Sequence, residues 1–237
     1  MKYQNICFIV AMEAEAQPLI NAFCMEEDFS YAIGLPMRAW SINSGGLNIH
    51  LVINGQDAES KLDLIGTQAA TLNTHLAISH FKPDLMISAG TAGAFHEKGA
   101  KIGDVYLSHP YVIFHDRRVD IPGWKEMGVG RFPVVDVSRL ASQLNLKCGV
   151  ITTSNSLDMN ETDEEMIRRN GGEIKEMEAA AVAWVAALHQ VPFFGIKAVT
   201  DLVDVPHATV EQFQQNLHLA VDNLTKATVK VIGAINS

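Results

Sequence analysis

Short unbroken apolar runs alternate along this chain with longer helical segments, the pattern of a sheet buried on both faces. Residues 6–10 predict a first strand, and Leu19, Ile20 and Phe23 after it predict a short helix. Residues 37–43 and 47–54 read as two strands around Asn43-Ser44-Gly45-Gly46, a hairpin signal. Residues 63–80 are helical in pattern and close at Lys82-Pro83. Residues 85–88 form a buried strand, followed by Ala89-Gly90-Thr91-Ala92-Gly93, whose glycines would permit a tight turn. Residues 104–107 and 111–114 predict two further strands. Residues 115–133 hold three glycines and two prolines and read as a long loop. A short helix over 138–145 and a strand over 148–153 follow. Thr162-Asp163-Glu164-Glu165 resembles a capping box, opening a helix that stops at Gly171-Gly172.

The stretch from 175 to 204 organises the rest. Glu178 precedes an alanine-rich segment, 179–188, with no glycine or proline, which predicts a helix buried on most sides. A carboxylate in its first turn is favoured by the helix dipole. Val191-Pro192 ends the helix, residues 193–200 predict a buried parallel strand, and Asp201 follows it. Thr209-Val210-Glu211-Gln212 again has a capping-box pattern. Val210, Phe213, Leu217, Val221, Leu224, Thr228 and Val231 then recur at spacings of three and four, a long amphipathic helix. There is no internal repeat and no linker, so the expectation is one domain over residues 1–237, a three-layer αβα fold around a central mixed β-sheet.

Composition narrows this only a little. The 237 residues are 19% charged and 48% hydrophobic, an ordinary globular balance. A net charge of −9 argues against nucleic acid or an anionic membrane as the partner. Cys7, Cys24 and Cys148 are scattered and show no metal spacing, which fits a reducing compartment. The apolar start is better read as a core strand than as a signal peptide. No apolar run reaches the ~20 residues that span a bilayer, so a cytoplasmic location is the default expectation.

Strand ends carry the candidate chemistry, because ligands of open α/β sheets bind outside the carboxyl ends of the strands. Glu13 and Glu15 follow the first strand; Gly90 to Gly93, Thr153-Ser154-Asn155-Ser156 and Asp201 end three others. Each has a plainer reading: a solvated first-turn glutamate, a structural turn, a capping aspartate. The glycines do not make a GxGxxG, which disfavours a dinucleotide fold. His75 and His80 lack partners for a metal, and no metal is expected. His115-Asp116-Arg117-Arg118 reads as a surface salt-bridge cluster or as a loop lining a pocket or subunit contact.

Taken together the motifs are specific. Ala11-Met12-Glu13-Ala14-Glu15-Ala16, Ala89-Gly90-Thr91-Ala92-Gly93, Ile102-Gly103-Asp104-Val105, Phe114-His115-Asp116-Arg117-Arg118, Ser156-Leu157-Asp158-Met159, Glu176-Met177-Glu178-Ala179 and Ala198-Val199-Thr200-Asp201 occur in that order. The chain resembles the 5′-methylthioadenosine/S-adenosylhomocysteine nucleosidases of the purine nucleoside phosphorylase superfamily, and the plant-type methylthioadenosine enzymes most. The resemblance implies a nucleoside phosphorylase-like fold, a cofactor-free homodimer with a nucleoside substrate, and hydrolysis of the N-glycosidic bond of 5′-methylthioadenosine, with S-adenosylhomocysteine as the alternative or additional substrate, releasing adenine and the 5-thio-substituted ribose in methionine salvage. It implies that Glu15 activates water, with Glu13 a bystander, and that Asp201 protonates or hydrogen-bonds adenine N7. Glu178 would hold the ribose hydroxyls with Met177 packed on the sugar. Thr91, Gly93 and the neighbouring Lys175 and Glu176 would complete the binding site, and Leu157 and Met159 would surround the 5′ substituent.

The chemistry asks for these residue types. The bond breaks through an oxocarbenium-like state, adenine leaves poorly as an anion, and water attacks weakly, so an acid and a base each help. Asp201 must carry its proton, which burial with little positive charge nearby would favour. Two readings compete: a phosphate-dependent phosphorylase using Arg117 and Arg118, and a nucleoside-binding protein without turnover. The chain departs from the family at Gly93-Ala94, where a second glycine is common, and at Ser154-Asn155, where Gly-Asp is usual.

Overall fold

A computed structural model describes residues 3–206 and 209–235. The elements run β1 (Asn5–Val10), α1 (Glu13–Phe23), β2 (Glu26–Glu27), β3 (Arg38–Ser44), β4 (Leu47–Ile53), α2 (Thr67–Phe81), β5 (Leu85–Ala94), β6 (Val105–Phe114) and α3 (Trp124–Val129). β7 (Phe132–Pro133), α4 (Ser138–Leu144), β8 (Lys147–Thr153), α5 (Glu161–Arg169), β9 (Gly172–Glu176), α6 (Ala179–Leu188), β10 (Phe193–Leu202) and α7 (Thr209–Ile235) complete the chain.

Alternation along the strands builds the layers. In β1, Ile6, Phe8 and Val10 join one core with α1, α4 and α7, through Leu19, Ala141 and Leu224. Cys7 and Ile9 point the other way, into a second core with Ala70 and Ala77 of α2 and most of α6. Strands buried on both faces cannot alternate polar with apolar, which is why the sequence showed continuous apolar runs. The all-round apolar α6 is buried from Ala179 to Ala183. This is the expected three-layer α/β fold with a mixed sheet of ten strands among the described residues. Among the described residues, no helix is long and apolar enough to cross a membrane.

The sheet is not a simple open one. β5 pairs with β1 over Leu85–Ser88 and with β9 at Gly93 and Ala94, on the same edge, while β10 runs along its other edge. β10, β6, β8 and β9 then close back on β5 as a ring, and β1, β4, β3 and β2 extend outward from it. The sheet therefore divides at the carboxyl end of β1, where β5 changes neighbour. Such a division leaves a crevice at strand ends.

Several local expectations change. The Gly90–Gly93 segment is not a turn but the second half of β5. Residues 104–107 and 111–114 are one strand with a register shift. The long loop contains α3 and β7. The helix after Met159 is capped by Asn160, whose side chain accepts from the Asp163 N–H, and not by Thr162. β9 was hidden by its mixed composition, Gly-Glu-Ile-Lys-Glu, and is strand because β8 and β5 both pair with it.

Candidate active site

The crevice holds a cavity of about 150 Å³. Each element that meets there delivers one group. The turn after β1 starts α1, and the Glu15 side chain folds back to the sheet. Its Oε1 accepts hydrogen bonds from the Thr91 N–H at 2.6 Å and the Thr91 hydroxyl at 2.7 Å. Its Oε2 lies 3.4 Å from the Met12 N–H. Glu15 is 3% exposed, so its position is fixed by β5 and not by solvent. Glu13, the other glutamate of the motif, points out to an ion pair with Arg38.

The glycines of β5 are there for close approach. A Cβ at Gly90 would lie 3.1 Å from Glu15 Oε1, and one at Gly93 would lie 2.5 Å from Asp201 Oδ2. Small residues at these positions let both carboxylates rest on the strand. Asp201 sits within β10 opposite Gly93 and accepts from the Thr200 hydroxyl at 2.8 Å. Burial raises its pKa, opposed by the Thr200 hydrogen bond and by Lys175.

Glu176, Met177 and Glu178 lie between β9 and α6. Glu176 caps α6: its carboxylate accepts from the Glu178 N–H at 3.0 Å and the Ala179 N–H at 2.8 Å, and from the Thr153 hydroxyl. It also pairs with Lys197 of β10 at 2.9 Å. Burial would push the Glu176 carboxyl up, but Lys197 and these donors hold it below its ordinary value. Glu178, the residue before α6, has one backbone partner, the Gly66 N–H at 2.8 Å. Burial and the Glu176 carboxylate push it up to about 7. Glu15 is also raised, mainly by burial, with Lys197 and the Thr91 bonds opposing.

The cavity lining brings together Glu15, Thr91, Gly93, Leu157, Lys175, Glu176, Met177, Glu178 and Asp201. Met159 is left out of it; it is half-buried in the turn before α5. The sequence reading missed Met12, Ile65, Val203 and Phe213, which complete the apolar wall. In the sequence Phe213 belongs to the amphipathic stripe of α7, and Ile65 precedes a helix that begins later than its pattern suggests. Asn155 does not reach the cavity; its Oδ1 accepts from the Thr67 N–H at 2.8 Å and ties the start of α2 to the segment after β8.

The His115–Arg118 cluster is not a surface feature throughout. His115 is fully buried, neither ring nitrogen has a partner within the described residues, and burial holds its pKa down near 4. Arg117 stacks over Phe114 at 3.4 Å, and Arg118 pairs with Asp163 at 2.8 Å. Neither arginine lines the cavity.

The family model described as "Phosphorylase superfamily" matches residues 5–233. The chain is a member of that superfamily. Within it, the chain is 44% identical to the 5′-methylthioadenosine nucleosidase of Arabidopsis thaliana, over 98% of its own length and 87% of the relative's. It is 42% identical to a 5′-methylthioadenosine/S-adenosylhomocysteine nucleosidase of the same plant, over 98% of this chain and 92% of that one. The apo structure of the Arabidopsis thaliana 5′-methylthioadenosine nucleosidase superposes with a TM-score of 0.96 at 43% identity, covering 100% of this chain and 98% of that one. The chain thus belongs to the nucleosidase family of the phosphorylase superfamily, as its motifs suggested.

Proposed function

We propose that the protein hydrolyses the N-glycosidic bond of 5′-methylthioadenosine, releasing adenine and methylthioribose. One observation carries this: Glu15, Glu178 and Asp201, from three separate parts of the chain, line a single cavity together with Thr91 and Met177. Glu15 takes a proton from water as the water oxygen bonds to the anomeric carbon. Asp201 gives its proton to adenine N7 as the bond from that carbon to N9 breaks, so the base leaves neutral. Each proton transfer is worth about 10²–10⁴-fold. Glu178 accepts from the ribose hydroxyls, and Met177 packs against the sugar.

The same geometry favours water over phosphate. Glu15, Glu176, Glu178 and Asp201 surround the cavity, and its one lining cation among the described residues is Lys175. The Lys175 ammonium is committed to the carbonyls of Ser156 and Leu157, at 2.6 and 3.0 Å. Phosphate requires fixed cations and donors facing it, and Arg117 and Arg118 are engaged elsewhere.

The working form is a homodimer in the cytoplasm. Its support is the exposed apolar face on α2 and α6, where Leu72 is 42%, Trp184 40% and Leu188 64% exposed, a kind of surface that marks association sites. Mass measurement in solution tests it.

Incubation with 5′-methylthioadenosine and with S-adenosylhomocysteine, each with and without phosphate, tests the reaction. Adenine and free methylthioribose regardless of phosphate are expected, and the ratio of the two rates sets the specificity. Adenine release only with phosphate, as a sugar 1-phosphate, would overturn the reading.

A further inference from the structure

Lys175 has no role in the reaction as just described, yet it is one of the most unusual side chains in the cavity. It is 4% exposed on a five-residue strand otherwise dominated by Glu and Gly. Burying an ammonium costs free energy unless it is paired and hydrogen-bonded. Two of its protons go to the Ser156 and Leu157 carbonyls, at 2.6 and 3.0 Å. Among the described residues no carboxylate forms a direct ion pair with it; Asp201, Asp158, Asp163 and Glu176 act on it from farther away.

The register explains where it points. Gly93 of β5 is paired on one side with Lys175 of β9 and on the other with Asp201 of β10. Gly93 has no side chain to separate them, and both line the same cavity. The segment that Lys175 holds carries Leu157, which lines the cavity as well. One ammonium therefore touches the segment over the cavity and biases the acid beside it.

Resting on the nucleosidase reading above, we propose that Lys175 is a positioning residue that clamps the 156–157 segment against the cavity and sets the protonation of Asp201. The charged groups around the two residues are Glu15 from α1, Glu176 and Glu178 between β9 and α6, Lys197 from β10 beneath them, Asp158 and Asp163 beyond Leu157, and the neutral His115. Of these, Lys175 is the charge that acts on Asp201 directly, and it favours the carboxylate. Burial raises the acid and Lys175 limits the rise, so the proton is held for the base but can leave.

The test is the pH dependence of 5′-methylthioadenosine hydrolysis by the wild type, K175M and K175R. In K175M the alkaline limb of kcat moves to higher pH by up to about one unit, the low end of what an opposite charge does to a carboxyl. KM rises about tenfold with the loss of charged hydrogen bonds to the two carbonyls. K175R keeps the charge, so its limb stays with the wild type while KM rises. A purely structural lysine would change KM and thermal midpoint but leave the K175M limb where the wild type has it, and that result overturns the proposal. If K175M does not fold, an alkaline limb displaced upward in K175R does the same. Absence of adenine release by the wild type would instead strike the nucleosidase reading itself.

Discussion

Lys197 and Glu176 form a 2.9 Å ion pair beneath the cavity, with side chains 2% and 1% exposed. The pair ties β10, which carries Asp201, to the end of β9, two residues before Glu178 and the start of α6. Burial alone would lower the Lys197 pKa, but Glu176, Glu178 and Glu15 together raise it. Lys197 is thus the counter-charge that allows three carboxylates to share one buried site.

Replacing Lys197 with Met keeps the volume and removes the charge. Glu176 keeps its bonds from Thr153, Glu178 and Ala179 but loses its cation. Breaking a buried pair on one side costs about 3–5 kcal/mol, and the remaining donors favour the lower end. The urea midpoint of K197M should fall accordingly, and E176Q/K197M should recover part of the loss. A K197M midpoint equal to that of the wild type would show that the pair does not hold the site together.

The fold class was legible in the sequence because strands buried on both faces leave continuous apolar runs, and β1, β5, β8 and β10 all show them. Glu15, Glu178 and Asp201 were legible as acids at the ends of such runs. β9 and the role of the glycines were not. Gly-Glu-Ile-Lys-Glu has no apolar run because Lys175 and Glu176 are buried for what they bond to. Gly90 and Gly93 looked like turn residues because a close approach by Glu15 and Asp201, distant in sequence, leaves no local signal. Lys175 beside Asp201 likewise departs from the expected absence of positive charge there. The His115–Arg118 run reads equally as a surface salt-bridge cluster or as a loop lining a pocket or subunit contact, and nothing local signals that His115 is buried.

Glu178 makes the unliganded protein less stable as pH rises. Its folded pKa, about 7, lies above the ordinary 4.5. The folded state therefore holds the proton more tightly than the unfolded chain, and the stability this gives is present below about pH 4.5 and lost as pH rises toward 7. Glu15 and Asp201, also raised, act in the same direction. E178Q still offers an oxygen to the Gly66 N–H. It should be more stable than the wild type at pH 8 by about 1–3 kcal/mol, with the gap closing near pH 4.5, while KM for the nucleoside rises. Thermal melts across this range check it, and a gap that does not depend on pH would refute it.

Gly93→Ala should damage catalysis more than folding. Gly93 does not have a positive φ, so alanine fits the backbone. Its methyl, however, would meet Asp201 Oδ2 at 2.5 Å and Val203 Cγ1 at 2.6 Å. Displacing a catalytic group by about 1 Å costs roughly 10²-fold, whereas overpacking costs stability of about 1–3 kcal/mol. Gly90→Ala, with its nearest contact at 3.1 Å from Glu15, should lose less activity. Steady-state kinetics of the two variants read the order directly, and the reverse order would mean that Asp201 moves aside without loss.

In the proposed reaction, the acid and the base separate by the pH limb each controls. Asp201 has to be protonated, so activity is lost as pH rises past its folded pKa, which burial places above the ordinary aspartate value. Glu15 has to be ionised, so activity is lost as pH falls below its own raised value. Asp201→Asn keeps a group that the Thr200 hydroxyl can reach but has no proton to give at an acid's strength. Its kcat should fall about 10²–10⁴-fold with the alkaline limb abolished. Glu15→Gln cannot take a proton from water, and should fall by a similar factor with the acid limb abolished. Both variants should still bind the nucleoside, since Glu178 and Met177 are untouched, and calorimetric titration would show it. An Asp201→Asn enzyme that turns over at the wild-type rate would remove Asp201 from the mechanism, whatever its place in the cavity.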